Sequence, residues 1–357
     1  FFFTSLVLIA TFILITDFFL SNTFLKKESC FNYGKFYYEL KKNCNGKEKF
    51  KKSFPTVNIY TNDLGLRTLK NSKQKENLNQ NIFIFGDSFA YGTGLKYKES
   101  FVGLMEKKLV NYNFYNFSVS SYSPSVYLYK LNKMIDLGIK PKKVFVFLDL
   151  SDVLDEVNRW DFDSAKNTIK TKISEENNHF RNDEFKQKNF LLLNEFASII
   201  NFNLRILKSK IRNSFYTDGK NLKIMTTFQG SFTYKEKSNL DKRFWKNEDL
   251  EIGLKKIKNV IRRIEKLSFQ NDSEFYLVVY PWAETLQYGQ KAFNWSKFAS
   301  TLCKFENCKL INAIPKFESY KKRNKNWNNK LYFINDVNFN KEGSKLLYEF
   351  VLSKISF

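Results

Sequence analysis

Five short apolar segments along the chain predict the strands of one buried parallel sheet. The first of them, NIFIF at 81–85, is a continuous apolar run rather than an alternating one, which is typical of a strand covered on both faces. The others have the same character and are bounded by turn or polar residues. They are NFYNFSVSS (113–121), KKVFVFL (142–148), EFYLVVYPW (274–282) and CKLINAI (308–314).

Amphipathic segments between these runs predict helices. FVGLMEKKLV follows the first strand, and a second helix begins at Ser123 and Pro124 and ends at Gly138. EIGLKKIKNVIRRIEKL (251–267) and KEGSKLLYEFVLSKI (341–355) predict two more. Alternation of strand and helix indicates an α/β fold, a three-layer α/β/α sandwich with a five-stranded parallel sheet.

The α/β pattern occupies residues 79–357 and is interrupted at about 155–250. That stretch is polar and charged apart from one apolar segment, NFLLLNEFASIINFNLRIL, so we interpret it as a partly helical insertion. Residues 26–78 form a lead-in rich in Lys and Asn, with a short element at VNIYTNDLGLR.

The first twenty residues, FFFTSLVLIATFILITDFFL, are almost all apolar, interrupted mainly by hydroxyl groups and Asp17. A bilayer span needs about 20 such residues, so this stretch predicts an N-terminal transmembrane anchor over 1–25. A buried core helix is the alternative. Lys26 and Lys27 and the polar linker that follow favour the anchor.

The chain is strongly basic, with 59 Lys and Arg against 36 Asp and Glu and a formal net charge of +23. The excess consists mainly of Lys spread along the chain, and nothing in the sequence resembles a zinc-finger, a basic-region or an RNA-stacking motif. We therefore expect no nucleic-acid partner. A polyanionic surface, such as lipid headgroups or an acidic glycan, is compatible with the charge.

Four cysteines fall in two local pairs, Cys30 with Cys44 and Cys303 with Cys308. An even count in short loops favours two disulfides in an oxidising compartment, although zinc ligation is an alternative. Five lysines soon after the apolar run would instead place the lead-in in the cytoplasm (Lys26, Lys27, Lys35, Lys41 and Lys42). We expect a membrane-anchored protein with its domain on the periplasmic or extracellular side.

The tripeptide Gly86-Asp87-Ser88 follows the first strand of the predicted sheet directly. A serine at that point projects from the carboxyl edge of the sheet, and its own backbone N–H can face a developing oxyanion. The motif lacks the spacing of the GxSxG nucleophile elbow, so the usual α/β-hydrolase topology is not implied.

These residues resemble the SGNH (GDSL-type) hydrolase superfamily over roughly 57–154 and 252–353. The similar segments are YTNDLGLR, IFIFGDSFAYGTGL, NFSVSSYSPSVYLYKL, VFVFLDLSDVLDE, VVYPWAETL and NDVNFNKEG. The chain is most similar to membrane-anchored members found near polysaccharide-modifying systems. The resemblance implies a flavodoxin-like sandwich and acyl-ester chemistry on small or carbohydrate-linked esters.

The resemblance also implies roles for individual residues. Ser88 matches the nucleophile, with its backbone N–H in the oxyanion hole. Ser121 matches a glycine that lends a backbone N–H to that hole, and Ser151 matches an asparagine that donates from its side chain. Asp336 matches the acid of the triad, and Asn338 matches its histidine.

Asn338 is the difference from the family's pattern that matters for catalysis. A serine hydroxyl needs a base to accept its proton, and a carboxamide has no basic nitrogen at neutral pH. His179, the single histidine, lies in the insertion and is one alternative base. Asp336 acting directly on Ser88 is another, although an ordinary aspartate is a weak base at neutral pH.

The alternation of Asp336, Asn338 and Asn340 also resembles the first ligands of a calcium loop. Gly343 is misplaced for that loop, which needs glycine at its sixth position. We therefore predict no metal and no cofactor. Asp152 and Trp282 follow the third and fourth strands and are predicted to contact the substrate, although a structural position is the alternative for each.

The sequence therefore predicts an SGNH-type ester hydrolase or O-acyltransferase that acts on a cell-surface glycan or a small ester. The alternative is a catalytically impaired relative that binds a glycan or an envelope partner through the same cleft.

Overall fold

The computed structural model of the protein describes residues 2–23, 29–34, 37–50, 54–70, 80–172, 192–193, 196–197, 200, 247–290, 293–334 and 336–355. The chain divides into two compact units. One comprises residues 1–28 and 173–223, and the other comprises residues 29–172 and 224–357.

The elements are numbered in chain order over the described residues. The strands are β1 (Phe31–Tyr33), β2 (Tyr38–Leu40), β3 (Asn45–Glu48), β4 (Val57–Tyr60), β5 (Asn81–Phe85), β6 (Asn113–Asn116), β7 (Lys143–Leu148), β8 (Trp160–Asp163), β9 (Thr168–Thr171), β10 (Glu274–Val279) and β11 (Cys308–Asn312). The helices are α1 (Phe2–Thr23), α2 (Ser88–Tyr91), α3 (Phe101–Lys108), α4 (Pro124–Asp136), α5 (Ser151–Asn158), α6 (Asn247–Gln270), α7 (Ala283–Tyr288), α8 (Trp295–Ser300), α9 (Ile314–Arg323), α10 (Trp327–Leu331) and α11 (Lys341–Leu352).

The larger unit is built on a five-stranded parallel sheet in the order β11-β10-β7-β5-β6. Each of the five predicted apolar segments contains one of these strands, so the α/β prediction is confirmed. Every residue of β7 is buried, and so are the last five residues of β10. The continuous apolar runs therefore reflect burial on both faces of the sheet.

The strand order places a topological switch point between β5 and β7. The chain leaves β5 toward β6 on one side and later returns to β7 on the other side, as in flavodoxin-like sheets. Ligands of open α/β sheets bind outside the carboxyl ends of the strands at such a point. Ser88 follows β5, and Asp149 follows β7, so both lie at this edge.

Two groups of helices cover the sheet. Helices α4 and α5 pack against α6, whereas α3 packs against α11. Right-handed crossovers place these groups on opposite faces, which makes the three layers of the predicted sandwich.

The lead-in forms two antiparallel hairpins, β1–β2 and β3–β4. A disulfide joins Cys30 to Cys44, and a second joins Cys303 to Cys308. Both predicted pairings are confirmed, and they exclude the zinc alternative for these cysteines.

The other unit contains α1, a helix of 22 residues that begins in the apolar N-terminal stretch and ends at Thr23. Among the helices that the described residues form, none combines the length and the apolarity that crossing a bilayer requires, so the predicted anchor is not confirmed. Asp17 is buried in this unit, where its carboxylate accepts hydrogen bonds from the backbone N–H groups of Leu192 and Leu193.

The predicted insertion lies largely outside the described residues. The insertion starts with the last residues of α5 and continues with the β8–β9 hairpin. His179 and most of the apolar segment at 189–207 lie outside the described part of the chain.

Candidate active site

The motif Gly86-Asp87-Ser88 forms the turn from β5 into the short helix α2. A Cβ at Gly86 would lie 2.6 Å from the Cβ of Ala90, so glycine is the residue that this turn accepts. Asp87 is the N-cap of α2, and its Oδ1 accepts the backbone N–H of Phe89 at 3.0 Å. Ser88 is thereby held at the first helical position on the carboxyl edge of the sheet.

Buried Arg67 fixes the segment after Ser88. Its guanidinium donates to the carbonyl oxygens of Tyr91, Gly92 (3.0 Å) and Leu95 (2.6 Å). These carbonyls end α2 and form the following turn, so Arg67 satisfies acceptors that the short helix leaves open.

The hydroxyl of Ser88 is half-buried and donates to Asp87 Oδ2 at 3.2 Å. In the part of the chain that the structure describes, it is hydrogen-bonded to neither Asp336 nor Asn338. The hydrogen bond that joins a serine to its base in a catalytic triad is therefore not formed between Ser88 and Asn338.

Asp336 and Asn338 are buried and bonded to each other. Asp336 Oδ1 accepts the backbone N–H of Asn338 at 2.9 Å and its Nδ2 at 2.8 Å. The ring of Phe339, the next residue, lies 4.9 Å from the ring of Phe89. The structure therefore brings this segment beside the start of α2, and Asp336 orients an amide at the position where the resemblance implies an imidazole.

Asn338 Oδ1 has no hydrogen-bond partner among the described residues, although the side chain is only 4% exposed. A buried carbonyl oxygen without a donor is unfavourable. It is suited to accept a hydrogen bond from a hydroxyl or an amide of a ligand, but it cannot take a proton from Ser88 at neutral pH.

Ser121 adopts the left-handed backbone conformation, with φ of +61°. Glycine occupies this region without strain, so the conformation suits the glycine that the resemblance implies at this position. The carbonyl oxygen of Ser121 accepts the indole N–H of Trp160 at 2.8 Å, and this bond anchors the loop before α4. The oxyanion-hole role of its backbone N–H stays a prediction.

Ser151 is placed beside the nucleophile, but its hydroxyl is occupied. Its Oγ donates to Asp149 Oδ1 at 2.6 Å and lies 3.4 Å from Asp87 Oδ2. A hydroxyl has one hydrogen, so Ser151 can donate to an oxyanion only after it leaves Asp149. Its predicted oxyanion-hole role is not supported by this geometry.

A cluster of buried carboxyl groups underlies the site at the end of β7. Burial raises the pKa of Asp149, and burial together with the charge of Asp149 raises the pKa of Asp87 and of Asp152 well above the usual range. For Asp155, burial outweighs the nearby Arg159 and raises the pKa to about 7. The cluster therefore holds protons at pH values where ordinary aspartates are ionised.

Asp152 and Trp282 do not lie on the surface of the cleft, contrary to the prediction of substrate contacts. Asp152 is fully buried and accepts the backbone N–H of Asp149 and the hydroxyl of Tyr127. Trp282 is 2% exposed, and its indole N–H donates to Asp149 Oδ2 at 3.0 Å. Both side chains support Asp149 from within the core.

Two contributors to the site are not predicted from the sequence motifs. They are the side chain of Asp87 and that of Tyr280, whose hydroxyl lies 3.4 Å from Asp87 Oδ1. A polar residue within two positions of the end of a buried strand is the signal that indicates both, because those residues meet at one edge of the sheet.

No protein-family model matches this sequence, and no curated protein matches it. Solved structures with a similar fold include a lipolytic protein of the G-D-S-L family from Veillonella parvula, with 11% identity and a TM-score of 0.39. The match covers 77% of this chain and 97% of that one. A lipolytic protein of the same family from Desulfitobacterium hafniense has 13% identity and a TM-score of 0.40, over 77% of this chain and 99% of that one.

An acetyl xylan esterase (Est2A) from the rumen bacterium Butyrivibrio proteoclasticus has 9% identity and a TM-score of 0.34. The match covers 80% of this chain and 65% of that one. The similar structures thus include members of the family that the motifs resemble. Such low identities and TM-scores decide neither residue roles nor substrate, so the roles proposed below rest on the geometry of this chain.

Proposed function

We propose that this protein is an SGNH-type acyl-ester hydrolase or O-acyltransferase with Ser88 as its nucleophile. The observation that carries the proposal is the placement of Ser88. It lies at the switch point of a flavodoxin-like sheet, at the start of a helix, with its hydroxyl bonded to a buried carboxyl group. These features suit a serine that attacks an acyl carbon.

Ser88 and Ser121 supply the donors for the oxyanion in this proposal. The backbone N–H of Ser88 lies at the N-terminus of α2, where such groups have no partner within the helix. Ser121 keeps a main-chain donor despite the change from glycine, since its backbone is in the conformation that glycine favours.

We further propose that the substrate is an acyl ester on a cell-surface glycan or a small ester, and that the domain works in an oxidising compartment. The two disulfides support this compartment. The net charge of +23 suits a polyanionic surface such as an acidic glycan.

Asn338 favours a second candidate function of a different class. Without an effective base the same cleft would bind a glycan or an envelope partner and turn nothing over, and the unpartnered Oδ1 of Asn338 would accept a hydrogen bond from that ligand.

The test uses the full chain with p-nitrophenyl acetate and with a fluorophosphonate that labels activated serines. We expect turnover and labelling in the parent, and loss of both in Ser88→Ala. Ser300→Ala is the matched control, because this exposed hydroxyl donates to the carbonyl oxygen of Lys297 and, among the described residues, lies outside the proposed site. Turnover that persists in Ser88→Ala would contradict the proposed nucleophile. Absence of turnover in the parent, together with turnover in Asn338→His, would favour the binding function.

A further inference from the structure

The proton of Ser88 needs an acceptor, and the described residues offer no imidazole to take it. Asn338 occupies the histidine position with a carboxamide, and Asp336 Oδ1 is engaged by two hydrogen bonds from that residue. Ser88 Oγ donates instead to Asp87 Oδ2 at 3.2 Å. We propose that Asp87, the residue before the nucleophile, is its general base. This inference rests on the proposed function.

The two oxygens of Asp87 have different surroundings. Oδ1 accepts the backbone N–H of Phe89 at 3.0 Å and lies 3.4 Å from the hydroxyl of Tyr280. Oδ2 faces two hydroxyls, Ser88 Oγ at 3.2 Å and Ser151 Oγ at 3.4 Å. The N-cap bond restricts rotation of the carboxyl group, so Oδ2 stays within the reach that a general base requires.

Asp87 is 3% exposed, and its surroundings make it a stronger base than an ordinary aspartate. Burial first, and then the charge of Asp149, raise its pKa well above the usual range. The titratable and charged groups around it come from the β7 edge, α5, α4 and the end of β10. They are Asp149, Asp152, Asp155 with its partner Arg159, Tyr127 and Tyr280.

A raised pKa has two consequences for the reaction. The ionised carboxylate binds the serine proton more tightly than an aspartate of ordinary pKa would, which favours proton transfer. The carboxylate is also ionised in only part of the molecules until the pH exceeds that pKa. We therefore expect turnover to rise with pH through the pKa of Asp87 in the folded protein.

The proton moves between two atoms. As Ser88 Oγ bonds to the acyl carbon of the ester, its O–H bond breaks and Asp87 Oδ2 takes the proton. The tetrahedral intermediate then expels the alcohol, whose oxygen takes that proton from Asp87 as the carbon–oxygen bond breaks. In the second half, water or an acceptor hydroxyl loses a proton to Asp87 and attacks the acyl carbon. Ser88 leaves and recovers the proton.

Asp87→Asn is the direct test, because an amide oxygen still caps α2 but accepts no proton. With p-nitrophenyl acetate and the full chain, we expect kcat/KM to fall by about 10²-fold or more. The rise of kcat/KM with pH should disappear. Asp87→Asn combined with Asn338→His should regain turnover that depends on Ser88, since an imidazole then supplies the base. A value within about threefold of the parent in Asp87→Asn would overturn the proposal.

Asp149→Asn is a second test, for the case in which Asp87→Asn does not fold. Removing the neighbouring negative charge lowers the pKa of Asp87, so the midpoint of the pH profile should move to lower pH. A midpoint that stays in place would overturn the proposal.

Failure of this inference is distinguishable from failure of the proposed function. Turnover in the parent that is lost in Ser88→Ala but retained in Asp87→Asn would keep Ser88 as nucleophile and reject Asp87 as its base. A parent that shows neither turnover nor fluorophosphonate labelling would reject the proposed function, and this inference with it.

Discussion

Glu156 caps helix α4 from a neighbouring helix, and its replacement by Gln tests how strongly this contact holds the loop that carries Ser121. The carboxylate is 1% exposed. It accepts three hydrogen bonds. One comes from the hydroxyl of Ser123 at 2.6 Å, and two come from the backbone N–H and the hydroxyl of Ser125, each at 2.7 Å. Ser123 is the N-cap residue, yet its own side chain makes no capping bond, so Glu156 supplies the acceptor.

The size of the destabilisation expected in Glu156→Gln follows from these three hydrogen bonds. A hydrogen bond to a charged group contributes about 1.5–3 kcal/mol and a neutral one about 0.5–1.5 kcal/mol, so each bond loses about 1 kcal/mol in Glu156→Gln. Burying an amide instead of a carboxylate offsets part of that loss. We expect the free energy of unfolding to fall by about 2 kcal/mol and Tm to fall by about 4–8 °C.

Urea and thermal unfolding of the full chain measure this change, and the exchange rate of the Ser125 amide reports on the contact itself. Glu349→Gln is the control, because Glu349 pairs with Lys345 at 3.8 Å and both side chains are more than half exposed. That change should alter stability by less than about 0.5 kcal/mol. If Glu156→Gln unfolds with the same midpoint as the control, and its Ser125 amide exchanges at the parental rate, the capping role is refuted.

Three further predictions concern stability. Ser121→Gly should raise the free energy of unfolding, measured in urea, by about 0.5–1 kcal/mol. Glycine removes the strain of the left-handed conformation at φ +61°, and the greater conformational entropy of glycine in the unfolded chain offsets part of that gain. A lower urea midpoint would contradict this. Asp155 has a pKa of about 7 in the folded protein, above its value in the unfolded chain. Its contribution to the free energy of unfolding is therefore present at low pH and is lost as the pH rises through about 7. The urea midpoint should fall between pH 5 and 8, and less steeply in Asp155→Asn. Replacing Cys30 and Cys44 by Ser should lower the free energy of unfolding by about 3 kcal/mol, because the disulfide closes a loop of sequence separation 14. An unchanged urea midpoint without reductant would refute this.

Much of the secondary structure was predictable because it depends on local patterns. Continuous apolar runs identified the five sheet strands, and the period of apolar positions identified α3, α4, α6 and α11. The two disulfides were predictable from the short separation of each cysteine pair.

The location of the proposed nucleophile was also accessible from the sequence. Ser88 ends the tripeptide that follows a buried strand, and in a parallel sheet the turn after a strand lies at the carboxyl edge whatever the order of the strands. Asn338 at the position where the resemblance implies a histidine is likewise visible in the sequence, and it raises the question of the base without answering it.

The tertiary structure alone decided which polar groups meet. Asp87 and Ser151 are 64 residues apart and become neighbours only because β5 lies beside β7 in the sheet. The same order buries Trp282 against Asp149, where the sequence predicted contact with a substrate and left a structural position as the alternative. Strand order and side-chain direction depend on contacts between distant segments, which local periodicity does not encode. The sequence therefore determined where the serine lies, and the packing of β5, β7 and β10 determined what surrounds it.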